Sequence, residues 1–252
     1  MQKPNRTPLR MSGNFIMISK NAKRDYVAVT YNEKDKPFTQ YPDQLTRYLF
    51  SRYDLKKGNK ILDVGCGRGE FLKGFIDCGL DGYGLDQSIV SKSVCPDTEV
   101  LQVDLANEPF PYEDDFFDIV FSKSVLEHFY YPEKIVHEMY RILKPGGIVI
   151  TMVPDWESIY KMFYDDYTHR TPFTIISLKE IFYIHNFGNI KVEKFRQLPF
   201  LWSLPFLNSL CSLIALISPR SLKPYSKLIK FSKEIMLLST AVKINNVEES
   251  LN

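Results

Sequence analysis

The chain has 252 residues, enough for one large domain or one domain with decorations. A hydrophobic share of 44% and a charged share of 25% are those of a soluble globular protein, and a formal net charge of +2 offers no basic stripe for nucleic acid. The four cysteines (Cys66, Cys78, Cys95, Cys211) form no C-x-x-C pair, which argues against a zinc site or a disulfide framework and for a reducing cytoplasm; no metal is expected.

Residues 1–24 are polar and basic, with Lys3, Arg6 and Arg10 among Pro4, Pro8 and Gly13, and hold no apolar run long enough for a signal peptide. They are expected to lack order, with Met11 and Met17 as further candidate starts, and 25–252 to form a single domain. Tyr41, Leu45, Tyr48, Leu49 and Tyr53 recur at helical spacing, so a helix is expected within 37–53, either packing only or serving as a lid.

Lys60 to Val64 is a short apolar run without helical period, fit for a buried parallel strand. It breaks into Gly65-x-Gly67-x-Gly69 and then into Glu70–Ile76, which has helical spacing. Strand, glycine turn and helix N-terminus together present main-chain N–H groups to a ligand. A dinucleotide turn reads G-x-G-x-x-G; here the third glycine comes one residue early and Glu70 stands in its place, and no G-x-x-x-x-G-K-[ST] loop is present. Acids at Asp63 and Glu70 suit a cationic ligand better than a pyrophosphate. The stretch Asp63-x-Gly65-x-Gly67-x-Gly69 resembles motif I of the class I S-adenosylmethionine (SAM) methyltransferases.

Gly82–Ser88 reads as a second strand ending in Asp86, one crossover unit after Asp63 and placed for both ribose hydroxyls, with Gln87 beside it. Glu99–Leu105 reads as a third strand ending in an acid; the resemblance implies that Asp104 meets the adenine amino group and the Leu105 backbone the ring. Phe116–Ser122 is the fourth strand and runs into Val125-Leu126-Glu127-His128. Pro132 opens a helix to Leu143 with Ile135, Val136, Met139 and Tyr140 on one face, Lys144-Pro145-Gly146-Gly147 stops it, and Ile148–Val153 is the fifth strand. The order F-D-x-V-x-S, V-L-E-H, L-K-P-G-G extends the resemblance over residues 60–153. It implies a donor site of Asp63, Gly65, Cys66, Gly67, Gly69, Phe71, Asp86, Gln87, Asp104, Leu105 and Ser122 for SAM, in an α/β, Rossmann-like domain with a seven-stranded, mostly parallel sheet of order 3-2-1-4-5-7-6 and helices on both faces.

Asp166 to Thr174 (Asp-Tyr-Thr-His-Arg-Thr-Pro-Phe-Thr) resembles a segment of bacterial methyltransferases of surface-polysaccharide and related glycan pathways, and a helix is expected over Ser177–His185. Asn189–Arg196 reads as strand six and Glu234–Ile244 as the final antiparallel strand. Between them Leu198–Lys233 is too long for a hairpin loop and reads as a helical insertion, apolar first and then basic, with Lys223, Lys227 and Lys230 at helical spacing. It is a poor membrane span. It reads either as an interfacial anchor on the inner face of a membrane or as a cap over the acceptor pocket.

In this topology the loops after strands four and five and the insertion share one edge, which brings His128, Asp155, His169 and Arg170 near the donor methyl group. His169 is the first candidate for the base that takes an acceptor hydroxyl proton and His128 the second. Asp155, Tyr167 and Arg170 are candidates for holding the acceptor, expected to be a sugar, a lipid-linked sugar or another small-molecule hydroxyl. N-methylation of an amino sugar, C-methylation of a quinone-type lipid, a SAM-binding partner without activity and, more distantly, a nicotinamide-dependent enzyme are the alternatives. The oligomeric state stays open.

Overall fold

The computed structural model of the chain describes residues 9–11, 14–16, 36–88, 90, 94–217 and 227–244. By internal packing the chain divides into two units, Met1–Phe38 and Thr39–Asn252. In the first, β1 (Leu9–Met11) pairs antiparallel with β2 (Asn14–Ile16), Leu9 opposite Ile16, within the stretch expected to lack order.

The second unit runs α1 (Tyr41–Arg52), β3 (Lys60–Val64), α2 (Glu70–Asp77), β4 (Asp81–Asp86), β5 (Glu99–Gln102), β6 (Phe117–Lys123), α3 (Pro132–Ile142) and β7 (Leu143–Pro154). It continues with the short α4 (Trp156–Ile159), α5 (Ile175–Ile184), β8 (Phe187–Arg196), α6 (Pro199–Ser203), α7 (Asn208–Ile217), α8 (Lys227–Lys233) and β9 (Ile235–Lys243). The seven strands lie in the order β5-β4-β3-β6-β7-β9-β8, which counts off along the chain as the expected 3-2-1-4-5-7-6. β3 to β7 are parallel, and β9 runs antiparallel between β7 and β8. All six parallel strands therefore end at one edge, and the glycine turn, the β6 and β7 loops and the insertion all leave from it.

The central strands are buried on both faces. On one face Val136 and Met139 of α3 and Leu178 and Phe182 of α5 pack on Leu62, Val120, Val149 and Leu237. On the other, Leu45 and Leu49 of α1 and Phe75 of α2 pack on Ile61, Phe121, Ile150 and Leu238. Local chemistry sets the element ends. Pro132 occupies the first turn of α3, where its missing N–H costs nothing. Thr174 and Ser177 close a capping box on α5. α3 stops at Ile142, one residue before the expected end, because Leu143 already pairs with Phe117; the Lys144–Gly147 turn is then an irregularity before Ile148 pairs with Ile119.

The insertion forms a satellite core of Leu198, Leu201 and Cys211 with Trp202, Leu207 and Phe231 against it. Trp202 joins it to the domain, its ring 5.5 Å from Phe195 and 4.8 Å from Tyr48, and its Nε1 donating to Arg196 O at 3.0 Å. Arg196 then donates to Asn208 Oδ1 and Ser212 Oγ, each at 3.0 Å, and so holds α7. Leu201 and Trp202 thus face inward, whereas Phe200, Phe206, Leu210 and Leu213 are exposed. Among the described residues no helix is long and apolar enough to cross a membrane; Lys223 lies outside them.

Candidate active site

The glycine turn follows β3 directly. Gly65, Gly67 and Gly69 all have positive φ, at 74°, 55° and 83°. Gly67 decides the shape of the turn: its N–H donates to Asp86 Oδ2 at 2.8 Å, and a Cβ added there would meet no atom within 4 Å. Open space beside a left-handed glycine is what a ligand lying on the backbone needs. Gly65 and Cys66 donate to Leu85 O at 2.7 and 3.0 Å, which ties the turn to the end of β4.

Asp63 is almost fully buried, and its Oδ2 has no hydrogen-bond partner. Burial pushes its carboxyl up to about 8, and the neighbouring Asp86 pushes the same way, against the Leu72 N–H and Lys123. An orphaned buried oxygen beside the open turn is a place for a cationic group. Asp86 is buried too, with Oδ1 accepting from Ser88 N at 2.8 Å. Phe71 lies between Tyr41 (ring centroids 6.3 Å apart) and Phe121 (5.9 Å), with Lys123 Nζ 5.3 Å from its ring centre. Ser122, at the end of β6 and paired in register with Val64, is buried with its Oγ unpartnered. Gln87 is exposed, and its main-chain oxygen accepts from Gln102 Nε2 at 2.8 Å. Asp104 is exposed and caps its own turn, accepting from Asn107 Nδ2 at 2.9 Å and Ala106 N at 3.0 Å; these bonds hold its pKa below the usual value. The Leu105 side chain belongs to the core, so only its backbone faces outward.

Three of the named residues are engaged within the fold. The Cys66 side chain is buried with Leu72, Cys95 and Val100, and its carbonyl accepts from Gly69 N at 2.8 Å, so its side chain packs behind the turn. Glu70 is not available to a cationic ligand, because Arg68 Nε donates to it at 2.9 Å. Asp155 is fully buried just after β7, with Lys194 Nζ 3.2 Å from its Oδ2 as an ion-pair partner.

The residues beyond β6 do converge. Ser124 leaves the strand with φ 57°, and Leu126–His128 forms a 3₁₀ turn. The main-chain oxygen of Glu127 accepts from Arg170 N at 2.7 Å and Thr171 N at 3.1 Å, which ties the Asp166–Thr171 segment to that turn. The His128 and His169 rings come to 4.9 Å between centroids. His128 Nδ1 meets Thr168 Oγ1 at 2.8 Å, and that hydroxyl donates to Asp166 Oδ1 at 2.6 Å. His169 Nδ1 meets the carbonyl of Phe163 at 2.6 Å. Both Nδ1 atoms therefore carry the proton in the neutral rings, and both Nε2 atoms keep a lone pair. Burial, then His169, lowers the His128 pKa, so this ring stays neutral at neutral pH. Arg170 turns back on the carbonyls of Tyr167 and His169 and stacks on Tyr130, 5.3 Å from its ring centre; its partners are those carbonyls and not Asp165 or Asp166. Tyr167 is exposed.

Two residues stand in the site that the sequence did not single out. Lys123 is partly exposed as a residue, but its ammonium is desolvated, which lowers its pKa to about 8 against the pull of Glu127 and Asp63. Glu127 is fully buried and raised to about 8 by that burial. The signal was present in Lys123-x-x-x-Glu127-His128, but nothing in the sequence marks those charges as desolvated.

Comparison with known proteins agrees with this geometry. Residues 62–151 match the family model described as a methyltransferase domain. A demethylmenaquinone methyltransferase of Paenarthrobacter aurescens (strain TC1) is 32% identical over 124 residues, 45% of this chain and 48% of its own length. The chain thus spans about half of that relative. Among solved structures, a chain from the complex between the Haloferax volcanii Trm112 methyltransferase activator and a methyltransferase aligns with TM-score 0.66 at 20% identity, covering 89% of this chain and all of that one. The Haemonchus contortus phosphoethanolamine N-methyltransferase 2, solved with phosphomonomethylethanolamine and S-adenosylhomocysteine, aligns with TM-score 0.63 at 20% identity over 92% of this chain and 62% of its own. At that identity both attest to the fold. Strand order, the glycine turn with its strand-end acids and the matched family model together identify a methyltransferase domain over residues 62–151.

Proposed function

We propose that the chain transfers a methyl group from SAM to a hydroxyl of a small-molecule or glycan acceptor, a lipid-linked sugar among the candidates. The residues present fit the donor. The open space at Gly67 and the orphaned Asp63 Oδ2 support a bound cationic nucleoside, with Asp86 toward the ribose and Asp104 and the Leu105 backbone toward the adenine. SAM supplies a methyl group already activated on a sulfonium. The protein's tasks are then alignment in a dry pocket and removal of the acceptor's proton. The observation that carries the reading is the histidine pair, two rings whose Nδ1 protons are fixed and whose Nε2 lone pairs are free. Such a base contributes roughly 10²–10⁴ in rate for a hydroxyl and little for an amine. His169 is assigned as the base, with Tyr167 at the exposed rim beside it.

Two variants test this. Asp86→Ala should weaken SAM binding by about 1.5–3 kcal/mol, the worth of hydrogen bonds to a charged group. His169→Ala should leave SAM affinity intact and lower turnover by roughly 10²–10⁴, measured with labelled SAM against a panel of hydroxyl, amine and quinol acceptors. Unchanged SAM affinity in Asp86→Ala ends the donor assignment, and full activity in His169→Ala ends the base assignment. A second reading, C-methylation of a quinone-type lipid, is favoured by the demethylmenaquinone methyltransferase relative and by the exposed apolar face of α7. The same face supports peripheral contact with the inner face of a membrane.

A further inference from the structure

The reading above gives work to His128 and His169 and none to Glu127, whose position is the costlier. Its carboxylate is fully buried, and neither oxygen accepts a well-formed hydrogen bond. An acid left so is expensive unless something cationic meets it. One donor atom each from Glu127, His128 and His169 lies within 4.8 Å of the others. The hydrogen bonds leave Nε2 as the free nitrogen on both rings. The Thr168 hydroxyl spends its proton on Asp166, so it can only accept from His128 Nδ1, and His169 Nδ1 donates to the Phe163 carbonyl. A ring N–H given to a carbonyl, or to a hydroxyl backed by a carboxylate, is how proteins orient imidazoles that ligate metal. The two chain segments that carry the three groups are locked together through the Glu127 main-chain oxygen.

We propose that Glu127, His128 and His169 hold a first-row divalent cation with open coordination positions that acceptor oxygens fill. This rests on the methyl-transfer reading and refines it: with the cation bound, His169 would be a ligand and not the base, and the acceptor hydroxyl, acidified by the cation, would give its proton to solvent. One carboxylate and two imidazoles suit zinc, manganese, iron or cobalt better than magnesium or calcium, which take oxygen ligands. Three protein ligands leave room for substrate oxygens, which the cation polarises. Asp166 lies behind His128 as the outer acid, while Lys123 and Arg170 are the cations that face the cluster.

The test is a Co²⁺ titration of the full chain at pH 7.5, read by visible absorption, with SAM affinity measured in parallel as the check on folding. Wild type should give a saturable spectrum at one ion per chain. His169→Asn and Glu127→Gln should lose it. Thr168→Val removes only the hydroxyl behind His128 and should weaken cobalt roughly 10–100-fold with SAM affinity unchanged. Protein that binds SAM and shows no saturable cobalt spectrum overturns the cation site and leaves the methyl-transfer reading standing. So does cobalt binding undiminished in both His169→Asn and Thr168→Val. Wild-type protein that binds cobalt and not SAM strikes the methyl-transfer reading instead.

Discussion

Asp63 is a buried acid whose titration would link the fold to a donor bound at the turn. Its carboxyl is raised from 3.8 to about 8, chiefly by burial. Between those values the folded, ligand-free protein holds a proton that the unfolded chain has released. This group's contribution to stability is therefore fully present below pH 3.8, is lost as pH rises toward about 8, and is constant above. A cationic donor reverses the preference, since a positive charge beside Asp63 favours the carboxylate. SAM binding at pH 7 should then release a proton, and SAM affinity should climb with pH and level off near 8. Calorimetric titration in two buffers of different ionisation heat measures the released proton directly. Asp63→Asn should abolish the buffer dependence; binding enthalpy that is the same in both buffers for the wild type would show that Asp63 does not change its protonation on binding.

At the scale of elements, the glycine turn is held from behind by the crossing of α1 over α2. The contact is close because position 74 has no side chain: a Cβ there would lie 2.4 Å from Thr46 Oγ1 and 3.1 Å from its Cγ2. Thr46 is fully buried and donates to Asp43 O at 3.0 Å, so it has little room to turn away. Gly74→Ala gains about 1 kcal/mol of helix propensity and meets an overpacking cost of about 1–3 kcal/mol. The expected net result is a fall in Tm of about 2–4 °C for each kcal/mol lost. The double variant with Thr46→Ala should recover part of that fall, and a Tm that rises in the single variant would mean that the helices shift apart freely. The first strands were legible as apolar runs that end in an acid beside a turn, as Ile61–Asp63 and Leu85–Asp86 do. The placing of Asp63 and Asp86 at one sheet edge followed from that pattern. The acceptor side was legible only in part. That His128 and His169 meet could be argued from topology. That Asp155 pairs with Lys194, 39 positions away, or that Arg170 turns back on its own loop, depends on pairings that no local pattern encodes. Desolvation of Lys123 and Glu127 is likewise a property of the packed edge and not of the letters.

The whole molecule places an apolar surface beside that edge. Strand β8 ends there, and the insertion that follows is pinned by Trp202 and Arg196, which leaves one face of α7 outward. Leu210, Leu213 and Ile217 fall at i, i+3 and i+7 and are 53%, 52% and 70% exposed, with Phe206 at 72% just before them. These side chains do not hold the satellite core, which rests on Leu198, Leu201 and Cys211. Lys227 and Lys230 of α8 are also exposed, although Lys230 lies 3.6 Å from Glu234. On an anionic membrane each lysine is worth about 1 kcal/mol, and the apolar face adds its burial among the acyl chains. The protein should therefore float with anionic vesicles and less so at high salt. Replacing Leu213 and Ile217 together by serine should release it without changing SAM affinity, because neither touches the donor site. Replacing Leu201 should unfold the insertion instead, a loss visible in the Trp202 fluorescence. A cap that only covers the acceptor predicts no flotation of the wild type, and turnover of a soluble acceptor unaffected by lipid. Wild-type protein that stays at the bottom of the gradient at low salt rules out the membrane contact.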